Sequence, residues 1–174
     1  MKRIFIACIA CLFLLANCQK KEEPKVQQPF PAGPVQGQNE IPLLQELVKK
    51  DPQNLGAWIK LGNILMDSHR FNEAIEAYQN AIELDPKNVD VRVDMATCYR
   101  NIGNPQKAVE EYRKAITINP NHLNAHRNLG VVLAFDIGDK KQAVKELEEY
   151  LRLAPNAPDA NQLQQEIARL KAAP

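Results

Sequence analysis

Beyond residue 18 the chain holds one cysteine, Cys98; the other three stand at positions 8, 11 and 18. No intramolecular disulfide framework is therefore available to the body of the protein, which must rely on an apolar core. Cys98 lies beside Tyr99 in a helical stretch, the setting of a small core residue and not of an activated thiol. Charge of one sign is not in excess either. The net charge is +1, and without residues 1–17 the chain carries 20 basic against 21 acidic side chains. With no basic stripe, nothing recruits nucleic acid electrostatically. The apolar run Ile4–Ala16 has 13 residues, short of the roughly 20 that span a bilayer. GxSxG, HExxH and a glycine-rich phosphate loop are all missing, and the only CxxC, Cys8 to Cys11, falls inside that run. His122 and His126 have metal-ligand spacing, yet one falls in a turn, the other in a core column, and no third ligand joins them. Glu110-Glu111 and Glu148-Glu149 read as solvated helix faces with basic neighbours. No catalytic group, cofactor or metal is expected.

What the chain does have is a period. Pro52, Pro86, Pro120 and Pro155 are spaced 34, 34 and 35 residues apart, the interval of a stacked array. Aligned on these prolines, small residues share columns: Gly62, Ala96 and Gly130, then Ala74, Ala108 and Ala143 after a one-residue insertion. Tyr78, Tyr112 and Leu147 form a third column, and Leu65, Tyr99 and Leu133 a fourth. Trp58, Leu61 and Leu65 have helical spacing on one face, as do Ala74, Tyr78 and Ala81. Small residues where two antiparallel helices cross allow close approach. Asn72 is a candidate N-cap for the second helix, and Asp85-Pro86 stops it, since the residue before proline is driven out of the α region. Such a hairpin cannot bury both faces alone and must stack on copies of itself.

The pattern resembles the tetratricopeptide repeat, W-x2-L-G-x2-Y…A-x3-F…A…P, matched by Trp58, Leu61, Gly62, Leu65, Ala74, Tyr78, Ala81 and Pro86. The second repeat keeps Met95, Ala96, Tyr99, Ala108, Tyr112, Ala115 and Pro120 but has Arg92 in the tryptophan column. The third keeps Leu129, Gly130, Leu133, Ala143 and Pro155 and has His126 there. The resemblance implies an all-α, right-handed superhelical solenoid of antiparallel helix pairs. Its parts are a half-repeat helix over 39–52, repeats over 55–88, 89–122 and 123–156, and a capping helix over 157–171, within a domain running 39–174. The half repeat carries Ile41, Leu44, Leu47 and Val48 on one face. In the third repeat the extra residue lies in 134–141, which predicts a longer hairpin turn with Gly138 at a helix C-terminus. Ala160, Leu163, Ile167 and Leu170 give the last helix one apolar stripe, as a terminal cap requires.

Ahead of the array, residues 1–17 read as a signal peptide, with Lys2 and Arg3 before the apolar run. Leu15-Ala16-Asn17-Cys18 resembles a bacterial lipobox, in which the cysteine becomes the lipidated first mature residue; Asn17 departs from the usual Gly, Ala or Ser. The alternative is an ordinary cleaved signal or a short uncleaved anchor. The resemblance implies an envelope protein held to the membrane by lipid on Cys18, with Gln19 favouring the outer membrane. Residues 18–38 form a Pro- and Gln-rich stretch that cannot bury enough apolar area to order itself and reads as a tether. A proline-rich docking motif is the alternative there, from Pro31 to Pro34.

Relatives in the family often hold a ligand in the concave groove lined by each repeat's first helix. The positions this implies are Ile59, Asn63 and Met66; Val93, Thr97 and Arg100; and Asn124, Arg127, Val131 and Phe135. The apolar members would form a floor, and Arg100 with Arg127 would fix an acidic group. The competing account has the two arginines balancing helix carboxylates. Chaperone-binding relatives grip a terminal carboxylate with a Lys–Asn pair; here Ile59 takes the lysine's place and only Asn63 remains. The expected activity is that of a non-enzymatic adaptor for a peptide or protein partner, in envelope assembly, secretion or pilus biogenesis. The alternative is a self-associating structural subunit, a homo-oligomer whose groove is filled by another copy.

Overall fold

A computed structural model describes residues 40–172. Cys18, the signal and tether segments and residues 173–174 lie outside the described residues. Within them the chain forms α1 (Ile41–Lys50), α2 (Leu55–Asp67), α3 (Phe71–Leu84), α4 (Val89–Asn101) and α5 (Pro105–Ile118). There follow α6 (Leu123–Val132), continued by a π-helical turn over Leu133–Ile137, then α7 (Lys140–Leu153) and α8 (Ala160–Ala172). Pairs α2/α3, α4/α5 and α6/α7 are the three hairpins, flanked by α1 and α8. None of these helices is long and apolar enough to cross a membrane.

Local chemistry sets the boundaries. The first helix of each hairpin is capped by the residue before it: Asn54 Oδ1 accepts from the Ala57 N–H at 3.0 Å, Asn88 Oδ1 from Val91 at 3.2 Å and His122 Nδ1 from Ala125 at 3.2 Å. Asp51, Asp85 and Asn119, each before a proline, leave the helical region at φ −131°, −134° and −131°. Asn72 does not cap α3. That helix starts at Phe71 after Arg70, whose guanidinium reaches forward to Glu73 at 2.6 Å, so an ion pair across the first turn stands where a cap was expected.

The small-residue columns close the hairpins. A Cβ at Gly62 would stand 2.6 Å from Tyr78 Cδ1, and one at Gly130 would stand 2.7 Å from Leu147 Cγ, so no side chain fits at either crossing. Ala74, Ala81, Ala96, Ala108, Ala115 and Ala143 are fully buried around Tyr78, Tyr112, Leu129 and Leu147. At the open end α1 packs on α2 through Ile41, Leu44 and Val48; at the other, Ala160, Leu163 and Ile167 of α8 cover α7 beside Tyr150.

The tryptophan column hides a common interaction. Trp58 Nε1 donates to the Pro52 carbonyl at 2.9 Å, Arg92 Nη2 to that of Pro86 at 3.2 Å, and His126 Nε2 to that of Pro120 at 2.9 Å. Three unlike side chains thus supply one N–H to the carbonyl six residues back, the group that the proline turn leaves without a helical partner. Across from them the second helices present Ala77, Glu111 and Glu146: a small residue faces the indole, and carboxylates meet Arg92 at 2.6 Å and His126 at 2.7 Å.

The extra residue of the third repeat is not in the hairpin turn. It is absorbed by the π-turn, where one added residue widens the helix by a single i→i+5 step. Gly138 does end that segment with φ +83°, and Gly103 ends α4 with φ +77°. The corresponding position of the first hairpin is His69, at φ +59°.

Candidate concave binding face

The first helices lie side by side, α4 touching both α2 and α6. Their outward faces, with the tips of Tyr78 and Tyr112, make a polar surface. Tyr78 Oη donates to Asn63 Oδ1 at 2.8 Å and lies 3.9 Å from Met66 Sδ. Thr97 Oγ1 donates to the Val93 carbonyl at 3.0 Å and so accepts from Tyr112 Oη at 2.9 Å. Burial raises both tyrosines' pKa values, so these hydroxyls stay protonated donors.

Next to Thr97 opens a cavity of about 470 Å³ lined by Thr97, Arg100, Asn101, Tyr112, Asn128 and Asp136. Arg100 Nε donates to Asp136 Oδ2 at 2.6 Å, so the π-turn delivers a carboxylate of the third repeat onto an arginine of the second. Arg127 is held in the same manner: its Nε donates to Asp159 Oδ2 at 2.6 Å, and Tyr150 Oη donates to Asp159 Oδ1 at 2.8 Å. The Arg127 hydrogen bond holds the Asp159 carboxyl below its ordinary range against the opposing effect of burial. Both arginines are therefore paired within the chain, though not with the carboxylates of α4.

Acidic groups remain. Asp67 and Asp94 lie near enough to the Tyr78 hydroxyl to act on it, and Asp90 and Asp67 lie near Asp94. Asp90 accepts from His122 Nε2 at 2.9 Å, since Nδ1 of that ring is the cap acceptor. Asp94 has no hydrogen bond or ion pair among the described residues. Burial, and then the Asp90 charge, push its pKa up to about 6. Below it, burial raises the Cys98 thiol to about 12, which leaves an inert core sulfur.

Of the positions expected in the groove, Asn63, Thr97, Arg100, Asn124, Arg127 and Phe135 reach solvent at least in part, and Phe135 is 59% exposed. Ile59 and Met66 are half-buried. Val131 is half-buried and packs against the cluster of Leu147, Tyr150, Leu163 and Ile167. Val93 is a core residue, in one cluster with Ala96, Ala125 and Leu129, because α6 covers that side of α4. The cavity brings Thr97 and Arg100 together; Ile59 and Asn124 do not line it. Sequence reasoning missed Asp136, Asp159 and Asn128. For Asp136 there was a signal, since it lies in the segment holding the insertion.

Stacked helix hairpins with closely crossing helices and a polar first-helix face define a tetratricopeptide protein-binding domain. The family model described as the "Cytochrome c-type biogenesis protein H TPR domain" matches residues 43–162, and the chain belongs to that family. No curated protein matches the sequence. Among solved structures, MamA protein is 23% identical with a TM-score of 0.69, over 78% of this chain and 79% of that one. The first TPR of Spaghetti (RPAP3), solved with an HSP90 peptide, is 24% identical with a TM-score of 0.65, over 71% and 97%. The Arabidopsis OM64 TPR domain is 20% identical with a TM-score of 0.62, over 66% and 94%. These likenesses concern the fold.

Proposed function

We propose that the chain is an envelope-tethered, non-enzymatic adaptor whose concave face holds an extended peptide or protein segment during assembly of c-type cytochromes. The observation that carries the reading is the family match over residues 43–162, which includes every first helix and the Arg100 cavity. A scaffold fold alone would leave the process open; the family narrows it. The solvent-accessible side chains of Asn63, Thr97, Arg100, Asn124, Arg127 and Phe135 offer hydrogen-bonding groups beside one large apolar anchor, the mixture that suits an extended segment. Lipid on Cys18 would hold the array at the membrane, at the periplasmic side of the outer membrane, and nucleic acid is not among its partners.

The test is haem staining of envelope proteins, separated under denaturing conditions, from cells lacking the chain. Loss of covalently bound haem, restored by the wild-type chain, is the expected result; undiminished staining contradicts the assembly role. Membrane fractionation of a Cys18→Ser variant tests the anchor, and its release to the soluble fraction is expected.

A further inference from the structure

The groove's arginines invite an acidic partner, yet the chain supplies its own acid to each. Asp159 is fixed from two sides, by Arg127 and Tyr150, and belongs to the packing of α8. Asp136 is different. Among the described residues its one partner is Arg100, both side chains are about one-third exposed, and both line the 470 Å³ cavity. It stands there because of a one-residue insertion that the other two repeats lack, converted into a π-turn. Such turns recur where a helix has been altered locally for function.

We propose that Asp136 is a specificity determinant of the concave face: it occupies Arg100 in the place of a partner's carboxylate and so makes the face reject anionic segments. The proposal rests on the reading of this face as the binding surface. Three features support it. The Arg100–Asp136 contact, at 2.6 Å, is a charge-assisted hydrogen bond that an incoming carboxylate has to replace. A displaced Asp136 would then lie beside the incoming anion, and like charges held together oppose binding. The neighbouring part of the face adds to this, since Asp67, Asp90 and Asp94 lie there and Arg92, the other cation of α4, is taken by Glu111. Selectivity built from a repulsive element excludes wrong partners without requiring tighter contacts to the right one.

The experiment uses the mature chain and two fluorescein-labelled hexapeptides, one of alternating valine and glutamate, the other with glutamine for glutamate. Fluorescence anisotropy gives the ratio of their affinities. Wild-type protein should bind the glutamate peptide no better than the glutamine peptide. Asp136→Asn, which keeps the side chain's shape, should tighten the glutamate peptide at least fivefold and leave the glutamine peptide unchanged. Adding Arg100→Ala should cancel the gain. Asp136→Ser serves as a second variant, and thermal melting establishes that each protein is folded. A ratio unmoved in both folded variants, including no detectable binding of either peptide, overturns the proposal, as does a gain that survives Arg100→Ala. The readout needs no natural partner, so its failure is separable from intact haem attachment in cells lacking the chain.

Discussion

Arg92 and Glu111 form an ion pair at 2.6 Å inside the second hairpin, at the place where the first hairpin sets Trp58 against Ala77. Both side chains are nearly buried, and Glu111 also takes Lys114 at 2.8 Å. Removing the carboxylate alone strands the guanidinium, so Glu111→Ala should destabilise the fold by about 3 kcal/mol. Transplanting the first repeat's pair, Arg92→Trp with Glu111→Ala, should recover most of that loss, because the indole still donates to the Pro86 carbonyl. Denaturant titration of the single and double variants checks the sign of the coupling. Burial opposes ionisation of Glu111, but its bonds to Lys114 and Arg92 prevail and hold its pKa down. Its contribution is therefore present above the ordinary glutamate range and lost as pH falls through the lowered value.

Asp94 has the opposite sign. Its pKa rises from 3.8 to about 6, so the fold penalises the carboxylate relative to the unfolded chain, although the group is still mainly ionised at about pH 7. Stability from this site is full below pH 3.8 and is lost as pH rises through about 6. Asp94→Asn should thus stabilise the domain at pH 7 by about 1 to 2 kcal/mol, a range reduced for solvent screening of a partly exposed group. Melting temperatures at pH 4.5 and 7.5 should differ less in the variant. An unchanged difference would show that the Asp94 carboxylate is not penalised in the fold.

His69 takes the left-handed backbone conformation that Gly103 and Gly138 take in the other hairpins. A residue with a Cβ pays roughly 1 kcal/mol there. His69→Gly should accordingly stabilise the protein by up to about 1 kcal/mol, less what is lost from the edge contact with Phe71 and from glycine's greater freedom when unfolded. A lower melting temperature would mean that the His69–Phe71 contact outweighs the strain.

Truncation after Pro155 removes α8 together with Asp159, uncovering Tyr150 and Leu147 and freeing Arg127. Burial of Leu163 and Ile167 contributes about 1.5 to 3 kcal/mol each. The shortened chain should melt lower and self-associate in light scattering. A monodisperse monomer with unaltered melting would deny α8 a capping role.

The hairpins were legible because packing repeats: Gly62 under Tyr78 and Gly130 under Leu147 meet the same steric demand at the same period. The tryptophan column was half legible. Arg92 and His126 looked like departures, because their shared role as donors to Pro86 and Pro120 exists only in the folded chain. The concave face was least legible, for two physical reasons. Arg100 meets Asp136 and Arg127 meets Asp159 across 36 and 32 residues, pairings set by stacking geometry and not by helical spacing. Val93 has a groove position by alignment, but the approach of α6 to α4 encloses it. The insertion was visible as a longer 134–141 segment, whereas its conversion into a π-turn aimed at Arg100 was not.

The central claim is that partners engage the concave face. A photoreactive phenylalanine analogue at position 135, beside the Arg100–Asp136 pair, and the same analogue at exposed position 83 on α3 place the probe on first-helix and second-helix faces. After irradiation of intact cells, mass spectrometry of the captured species decides the matter. The account predicts a defined envelope protein crosslinked from position 135 and little or nothing from 83. Equal capture from both positions, or capture from 135 of other copies of this chain alone, would contradict it.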